Sequence, residues 1–440
     1  MSERIAAIVM AAGLGTRMKS ETPKHLHPLL GRRLVDWPIA AVRELGADPL
    51  VVVASPDHAD AYDGVTVAVQ DEPLGTGDAV RSARHAVDAS RSVLVLSGDH
   101  PLLTRDLLER LVAEHARSDA AATVLSFEPP DPRAYGRIVR DGDGNLKAIV
   151  EAADAGEEEL AIAEVNSSIY VFESDRLWPV VERLEPVNAQ GELYLTDAVK
   201  YLVEEGERVA VFRADDHEEV EGVNTRAELA DAAVALRDRV NRELMLAGVT
   251  IVDPATTWVD ADCELEPDST IHPFTVLRGR TRVARGAEVG PHVVAVDAEI
   301  GPGVVVGPFA YLRPGSVIGE GAKIGTFVEL KKARIGKRTK VPHLSYLGDA
   351  EVGDDTNVAA SNVTVNFPHR PGLPKGQTKI GSNVRTGVDN SFVAPVEIGD
   401  DAWIAAGTVI TEDVPPGSLA GFPPRQVNKE GYVYDERDHD

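Results

Sequence analysis

The sequence contains little that could cross-link the chain or anchor it in a membrane. Of 440 residues only one, Cys263, is cysteine, which excludes an intramolecular disulfide framework and a cysteine-based zinc site. No apolar run approaches the ~20 residues that a membrane-spanning helix needs. The start MSERIAAIVMAAGLG lacks the basic n-region and cleavage site of a signal peptide. We therefore expect a cytoplasmic protein with no membrane partner.

Positive charge is also scarce. The chain has 45 basic against 71 acidic residues, a net charge of −26. Such a field repels a nucleic-acid backbone, so we expect no nucleic-acid partner. It also repels small anionic substrates. A phosphate-binding site must therefore be built locally from Lys, Arg, backbone N–H groups or a metal ion, and the few basic clusters mark candidate sites.

Residues 1–227 alternate apolar runs with segments of helical spacing. The runs IAAIVMA, PLVVVAS, SVLVLSGD and ERVAVFRA predict buried strands, and RLVDWPIAAVRELG and DLLERLVAEHARS predict helices. This alternation predicts a Rossmann-like α/β domain with a mostly parallel sheet. The Ala- and Leu-rich segment 228–250 predicts a helical linker.

From residue 251 to 427 an aliphatic residue recurs at steps of six, occasionally five. This period fits neither a helix nor a hairpin meander, whereas hexapeptides fit a left-handed, prism-shaped parallel β-helix with the aliphatic side chain pointing inward. Regularly spaced hairpins are the alternative, which so many matches disfavour. The recurring positions of the repeat, with one threonine out of pattern, are Ile300, Val306, Leu312, Ile318, Ile324, Leu330, Ile335, Val341, Leu347, Val352, Val358, Ile380, Thr386, Phe392, Ile398, Ile404 and Ile410.

Residues 428–440 predict a solvated acidic tail.

A glycine-rich turn follows the first predicted strand. Gly13 and Gly15 allow the backbone to approach a ligand, and Arg17 and Lys24 supply cationic donors nearby. The turn lacks the Gly-Lys-Ser/Thr of a P-loop and the spacing of a dinucleotide fingerprint. Glycines in turns are as often purely conformational, so this motif alone is weak evidence for a phosphate site.

A series of motifs in this half gives a sharper result. GLGTRM and PKHLHPL are followed by QDEPLGTGDA, LSGDHPLL, YGRI, IVEAADA, EVNSSIYVF, NAQGELYLTD and VEGVN. In this order they resemble the sugar-nucleotide pyrophosphorylases, and specifically the bifunctional enzymes that synthesise UDP-N-acetylglucosamine. The resemblance covers essentially the whole first domain.

The resemblance implies a role for each matching residue. It implies binding of uridine and phosphates by Ala11, Ala12, Gly13, Gly98 and Lys24, of uracil by Gln70, Gly75 and Thr76, and of the sugar by Gly136, Glu151 and Asn166. It implies Mg²⁺ at Asp99 and Asn224, and Asp99 does follow a predicted strand, at the sheet edge where α/β folds bind ligands. Taken alone, Asp99 would more often be a helix cap, and Glu151 would be a surface acid.

The implied reaction is attack by a sugar 1-phosphate on the α-phosphorus of UTP, with release of pyrophosphate. It needs no side-chain nucleophile, because positioning, charge neutralisation and Mg²⁺ supply the catalysis. Lys24 neutralises phosphate charge in this interpretation. We assign stabilisation of the leaving pyrophosphate to Arg17.

The second half holds the densest basic cluster of the chain, which includes Arg313 and Lys331. The two lie three hexapeptides apart, which is one turn of a three-sided prism, so they should stack on one face as a clamp for a sugar phosphate. Ordinary surface charge is the alternative. The motif HLSYLGDAE extends the family resemblance into this half.

That resemblance implies an acetyltransferase site. His343 is the implied general base for the amine of glucosamine 1-phosphate as it attacks acetyl-CoA. A lone histidine in a repeat is more often a packed or capping residue. Tyr346 and Asn357 are implied to bind the amino sugar beside Arg313 and Lys331. Acetyl-CoA contacts fall on Ala360, Asn366, Phe367, Ala406 and Arg425, and the family forms homotrimers with this site between subunits.

The sequence also departs from the family pattern. Asp78 replaces a usual histidine, Ser97 a tyrosine and Ala153 a lysine. After Asn366 the loop Phe367 to Gln377 is longer and begins Phe-Pro-His instead of Tyr-Asp-Gly, and Val388 replaces a serine. Two alternatives therefore stay open: a monofunctional uridylyltransferase whose β-helix serves trimerisation or acylates a different amino sugar, and a regulatory scaffold without activity.

Overall fold

The computed structural model describes residues 5–87, 90–132, 135–368, 372–421, 426 and 428–430. It folds as two compact units, residues 1–236 and residues 237–440. Arg425, which the resemblance implies at acetyl-CoA, lies outside the described residues, as does the predicted acidic tail beyond residue 430.

The first unit alternates strands and helices. Its strands are β1 Ala6–Met10, β2 Pro28–Leu29, β3 Arg32–Arg33, β4 Leu50–Ala54, β5 Thr66–Val69, β6 Ser92–Ser97, β7 Ala122–Phe127, β8 Arg137–Arg140, β9 Leu146–Val150, β10 Val165–Glu173 and β11 Val209–Arg213. Its helices are α1 Asp36–Leu45, α2 Thr76–Ser82, α3 Arg84–Val87, α4 Arg105–Ser118, α5 Glu157–Leu160, α6 Ser174–Val181 and α7 Leu195–Glu204, and α8 Arg226–Leu246 continues past the end of the unit.

The sheet of this unit has the strand order β11-β7-β10-β6-β1-β4-β5, and the hairpin β8–β9 is attached to β10. Strands β6, β1, β4 and β5 run parallel, and β10 is antiparallel to both of its neighbours. The predicted α/β domain with a mostly parallel sheet is confirmed. One detail is wrong: β11 was expected to be buried, but it is an edge strand and its residues are only partly covered.

Alternating residues of β1 enter two different hydrophobic cores. Ala6, Ile8 and Met10 pack with residues of α2, α6 and α7. Ala7 and Val9 pack with residues of α1 and α4. Since successive side chains of a strand point to opposite faces, helices cover both faces of the sheet. The continuous apolar runs seen in the sequence are the consequence.

The second unit consists of short parallel strands. They are β12 Thr250–Ile251, β13 Trp258–Val259, β14 Glu264–Leu265, β15 Thr270–Ile271, β16 Val276–Arg278, β17 Arg282–Val283, β18 Glu288–Val289, β19 Val294–Val296, β20 Glu299–Ile300, β21 Val305–Val306, β22 Tyr311–Leu312, β23 Val317–Ile318, β24 Lys323–Thr326, β25 Glu329–Ile335, β26 Lys340–His343, β27 Tyr346–Val352, β28 Val363–Val365, β29 Thr378–Ile380, β30 Arg385–Thr386, β31 Ser391–Val393, β32 Val396–Ile398, β33 Trp403–Ile404, β34 Val409–Ile410 and β35 Leu419–Ala420.

Every third strand pairs in parallel, which builds three ladders. One runs β12-β15-β18-β21-β24-β26, a second contains β13-β16-β19-β22-β25, and a third contains β14-β17-β20-β23-β25. The seven-residue strands β25 and β27 bend from one ladder into the next. All the recurring aliphatic positions predicted from the period are buried in one core, apart from Thr386, which is buried without joining the apolar cluster. The left-handed parallel β-helix is therefore confirmed.

Within the described part of the chain, no helix combines the length and the apolar character that a membrane crossing requires.

Neighbouring residues of β21 offer a direct test of the inward-pointing rule. Val306 is fully buried, whereas Val305 is 37% exposed. We expect Val306→Ala to lower the free energy of unfolding by about 2 kcal/mol, because it removes buried apolar area and leaves a cavity. Guanidinium unfolding followed by circular dichroism measures the change. The matched variant Val305→Ala should stay within about 0.5 kcal/mol of the native chain, and equal losses for both variants would contradict the assigned core.

Candidate functional sites

The first candidate site lies at the carboxyl ends of two adjacent parallel strands, β1 and β6. Their pairing places Met10 opposite Ser97. The loop after β1 and the residues after β6 therefore emerge side by side, at the edge where open α/β sheets bind ligands.

Two glycines allow this edge to pack tightly. Gly15 has φ +58, and a Cβ there would lie 2.5 Å from the Cβ of Lys24. A Cβ on Gly98 would lie 2.9 Å from Val35 and 3.1 Å from His25. A side chain at Gly15 would push Lys24 away from the sheet edge, and one at Gly98 would push apart the residues around Asp99.

Lys24 forms the centre of the site. Its buried ammonium makes an ion pair with Asp99 and donates a 3.1 Å hydrogen bond to Asn224 Oδ1. Arg17 donates to the same oxygen at 2.9 Å. The structure therefore brings together four residues that are up to 207 positions apart in sequence.

The start of α8 holds Asn224 in place. The Glu228 carboxylate accepts hydrogen bonds from the backbone N–H groups of Asn224, at 2.6 Å, and Thr225, at 3.0 Å. The N–H of Val223 donates to the Asp99 carbonyl at 2.9 Å. Asp99 itself caps no helix, because Thr104 accepts the capping bond from Leu107 of α4. The helix-cap interpretation of Asp99 is therefore wrong.

The electrostatics keep this cluster charged. Burial alone would raise the pKa of Asp99, but the Lys24 ammonium and the adjacent His100 lower that pKa well below its ordinary value. Burial, reinforced by Lys24, lowers the pKa of His25 to about 4. Near neutral pH the site therefore combines an ionised Asp99 with a neutral His25.

A cavity of about 770 Å³ opens over this cluster. Ala11 and Gly98, both implied at the nucleotide, do not line it: Ala11 is buried beneath the loop, and Gly98 is covered by the contacts described above. The cavity wall includes the other residues that the resemblance implies: Ala12, Gly13, Arg17, Lys24, Gln70, Gly75, Thr76, Asp99, Gly136, Glu151, Asn166 and Asn224.

Glu151 and Asn166 also line this cavity. The Thr196 hydroxyl donates to Glu151 Oε1 at 3.2 Å, and Asn166 Nδ2 donates to the Tyr170 hydroxyl at 2.6 Å. Burial raises the pKa of Glu151. Glu151 therefore lines the cavity although burial disfavours its charged form, and the surface-acid interpretation is wrong.

Sequence reasoning missed several residues of the cavity wall. His25 and His100 directly follow Lys24 and Asp99 in sequence, so adjacency could have indicated them. Tyr135 lies in the YGRI motif and Gln190 in NAQGELYLTD, which were recognised as motifs without a role for these residues. The sequence alone does not show that these residues line one cavity, because that depends on the fold.

The second candidate site lies on the β-helix. Leu312 of β22 pairs with Leu330 of β25, so the residues that follow them, Arg313 and Lys331, lie on adjacent coils as their spacing predicts. Arg313 also makes a 2.8 Å ion pair with Glu329. The neighbouring Lys375 ammonium lowers the pKa of Lys331, which shows that the long loop adds a cation to this cluster.

His343 ends strand β26, and its ladder partner is Thr326. The side chain is exposed. Its carbonyl accepts the Ser345 hydroxyl at 2.8 Å, but among the described residues no hydrogen bond reaches its imidazole. Tyr346 follows at the start of β27, and Asn357 bridges Lys340 and Arg385.

The implied coenzyme residues lie in later coils. Asn366 is buried and donates to Asp349. Phe367 is 70% exposed, and Lys375 lies 5.7 Å from the centre of its ring. Ala360 is partly buried and Ala406 is exposed.

Fold and sites together indicate a transferase with two parts: an α/β unit whose cavity is lined by Lys24 and Arg17 as well as by acidic side chains, and a hexapeptide β-helix with its own cationic cluster. Residues 7–156 match the model of the MobA-like NTP transferase domain, and residues 297–332 match that of the bacterial transferase hexapeptide. The chain belongs to the GlmU family.

Three relatives illustrate this membership, each named "Bifunctional protein GlmU". The protein of Streptomyces coelicolor is 48% identical, over 98% of this chain and 94% of its own length. That of Trichlorobacter lovleyi is 46% identical over 99% of both chains. That of Mycobacterium bovis is 45% identical, over 98% of this chain and 92% of its own. The similarity thus includes both units.

The raised pKa of Glu151 predicts a stability change with a definite sign. Because the folded-state pKa lies above the unfolded value, ionisation of Glu151 reduces stability as the pH rises through that pKa. The neutral variant Glu151→Gln should therefore unfold at a higher temperature than the native chain at pH 8, and the difference should shrink toward pH 4. Scanning calorimetry measures both. The exposed Glu158→Gln is the control, and an unfolding temperature for Glu151→Gln below that of the native chain at pH 8 would refute the assignment.

Proposed function

We propose that this chain is a bifunctional enzyme of UDP-N-acetylglucosamine synthesis. The second unit transfers acetyl from acetyl-CoA to glucosamine 1-phosphate. The first unit joins the resulting N-acetylglucosamine 1-phosphate to UTP and releases pyrophosphate. The observation that carries the proposal is the cavity in which Lys24, Arg17, Asp99 and Asn224 meet, within a family member that retains both units.

In the first unit the chemistry is an in-line exchange at phosphorus. An oxygen of the sugar phosphate attacks the α-phosphorus of UTP, and the bond to the oxygen that bridges the α- and β-phosphates breaks. Lys24 uses two of its three donors on Asp99 and Asn224, so the third is available for a phosphate oxygen. Arg17 is exposed at the cavity and donates to Asn224, and we assign its remaining donors to the departing pyrophosphate.

We assign the uracil and the sugar to two different sets of residues of the cavity. We assign Ala12, Gly13 and Ala11 to the loop that borders the nucleotide, and Gly98 to the backbone beneath it. Gln70, Gly75 and Thr76 bind uracil, and Gly136, Glu151 and Asn166 bind the N-acetylglucosamine. Except for Ala11 and Gly98, all of these residues line the one cavity.

The site also fits a magnesium ion. Asp99 and Asn224 offer oxygen ligands, and both already attract a cation, the Lys24 ammonium. Asp99 Oδ1 is buried and accepts no well-directed hydrogen bond from the described residues, although His100 Nδ1 lies 3.0 Å away. No group of three or more His, Cys, Asp or Glu suited to a metal occurs in the described parts of the chain, and Mg²⁺ needs only one or two protein ligands when phosphates supply the rest. When bound, the ion supplies charge neutralisation between the nucleotide and the sugar phosphate.

In the second unit we assign His343 as the general base. The amine nitrogen attacks the thioester carbonyl, the carbon–sulfur bond breaks, and the amine proton passes to the imidazole. Arg313 and Lys331 hold the sugar phosphate, with Tyr346 and Asn357 beside them. The coenzyme contacts fall on Asn366, Phe367, Ala360 and Ala406, together with Arg425. Since the proposed substrates UTP and acetyl-CoA are cytoplasmic metabolites, we place the enzyme in the cytoplasm.

We propose that the active assembly is a homotrimer. The imidazole of His343 has no orienting partner among the described residues of its own chain, which suits a site completed by a second subunit. Stacked rings also run along the outside of the β-helix, from Phe274 through His292 and Phe309 to Phe327, with centroids 4.7, 4.8 and 5.4 Å apart. The three phenylalanines are 52, 48 and 58% exposed, which is typical of surfaces that become buried between proteins.

Two assays test the function. Pyrophosphate should appear when the full chain receives UTP, Mg²⁺ and N-acetylglucosamine 1-phosphate. Free CoA should appear with glucosamine 1-phosphate and acetyl-CoA. His343→Ala should lower the second rate by ~10²–10⁴ and leave the first unchanged, because the two sites lie in separate units.

His272→Ala is the matched control, since His272 is another histidine of the β-helix, and it should retain both rates. If the native chain releases pyrophosphate but no CoA, the monofunctional alternative replaces the bifunctional one. If neither product forms, the proposed function is wrong.

The oligomeric state can be measured independently of activity. Size-exclusion chromatography with light scattering should give three times the 47.1 kDa mass of the chain. A mass of 47.1 kDa at micromolar concentration would contradict the trimer.

A further inference from the structure

Asp78 lies in α2, and its side chain is almost fully buried. One carboxylate oxygen pairs with Arg81. The other accepts a 2.9 Å hydrogen bond from Gln70 Nε2. The same Nε2 donates to the Gly75 carbonyl at 3.1 Å.

These contacts fix which way the Gln70 amide faces. A carboxylate and a carbonyl can only accept hydrogen bonds, so the NH₂ group, and not the oxygen, must point toward both of them. Both Nε2 hydrogens are thereby used. No hydrogen bond from the described residues reaches Gln70 Oε1, and Gln70 lines the cavity together with Gly75 and Thr76. Gln70 therefore presents a hydrogen-bond acceptor, Oε1, to the cavity.

An acceptor at this place distinguishes two pyrimidine bases. Uracil carries an N–H donor at N3, whereas cytosine carries an unprotonated nitrogen there, which repels an acceptor. A site built to accept a particular hydrogen bond strongly rejects the analogue that lacks the donor.

We propose that Asp78 is a positioning residue for nucleotide selection: it holds the Gln70 amide so that Oε1 accepts from uracil N3–H, which favours UTP over CTP. The proposal rests on the proposed uridylyl transfer in this cavity. Asp78 does not touch the nucleotide and acts only through Gln70. Of the two acceptors that hold Gln70 Nε2, the charged Asp78 carboxylate is the stronger. The other, the Gly75 carbonyl, also accepts a hydrogen bond from the N–H of Ala79.

The test measures kcat/KM for UTP and for CTP by pyrophosphate release from the full chain. Asp78→Leu replaces the carboxylate by an apolar side chain and so removes the acceptor, which leaves the Gln70 amide free to turn. We expect the ratio of the UTP to the CTP value to fall about tenfold, mainly through a higher KM for UTP. The KM for N-acetylglucosamine 1-phosphate should stay unchanged, which shows that the first unit is folded.

Arg81→Leu is the matched control. It breaks the same ion pair but leaves Asp78 on Gln70, so the ratio should stay within about twofold of the native value. A double-mutant cycle separates positioning from a general structural effect: in the Gln70→Ala background, Asp78→Leu should change the ratio no further.

The outcomes separate this inference from the function beneath it. If the native chain turns over UTP but does not prefer it to CTP, or if Asp78→Leu keeps the native ratio, the role of Asp78 is wrong and uridylyl transfer stands. An additive effect of Asp78→Leu in the Gln70→Ala background also overturns it. A native chain that does not turn over UTP refutes the proposed function itself.

Discussion

The buried contact between Lys24 and Asp99 is the interaction on which the first site depends. Removing either partner would leave an unpaired charge in a protein interior, which is strongly unfavourable. The pair persists because the parallel strands β1 and β6 deliver the two residues to one sheet edge, Gly15 leaves room for Lys24, and α8 brings the amide of Asn224 to the same ammonium. Strand order, turn geometry and helix start thus converge on one cation.

The scarcity of positive charge in this chain also bears on the second unit. In a chain of net charge −26, a phosphorylated ligand can only be held where basic side chains are gathered against the overall field. On the β-helix the repeat itself gathers them, since residues one coil apart stack on one face, as Arg313 and Lys331 do. The long loop contributes Lys375 to the same place. Two unrelated folds therefore each gather cations within an acidic chain, one at a sheet edge and the other on a repeat.

Much of the fold could be predicted from the sequence wherever apolar residues recur with a simple period. The hexapeptide repeat predicts the β-helix core because each aliphatic residue repeats its neighbour's environment, and the apolar runs predict the central strands. The exposure of β11 was missed because a run of apolar residues does not reveal whether a strand is central or at an edge. The hydrogen bond between Gln70 and Asp78 could not be predicted from the sequence. The motif shows only that Asp78 departs from the family pattern, and it is the fold that places the Asp78 carboxylate next to an amide eight positions earlier. His25 and His100, by contrast, directly follow Lys24 and Asp99 in sequence, so they could have been indicated by adjacency.

Positive charge held at Lys24 is what we expect to make a phosphate site in an acidic protein. Calorimetric titration of UTP with Mg²⁺ into the native chain and into Lys24→Met measures this contribution, with near-ultraviolet circular dichroism as a check that the first unit is folded. We expect the Kd for UTP to rise at least about tenfold in Lys24→Met, since a charge-assisted phosphate contact is lost. An unchanged Kd in a folded variant would contradict it.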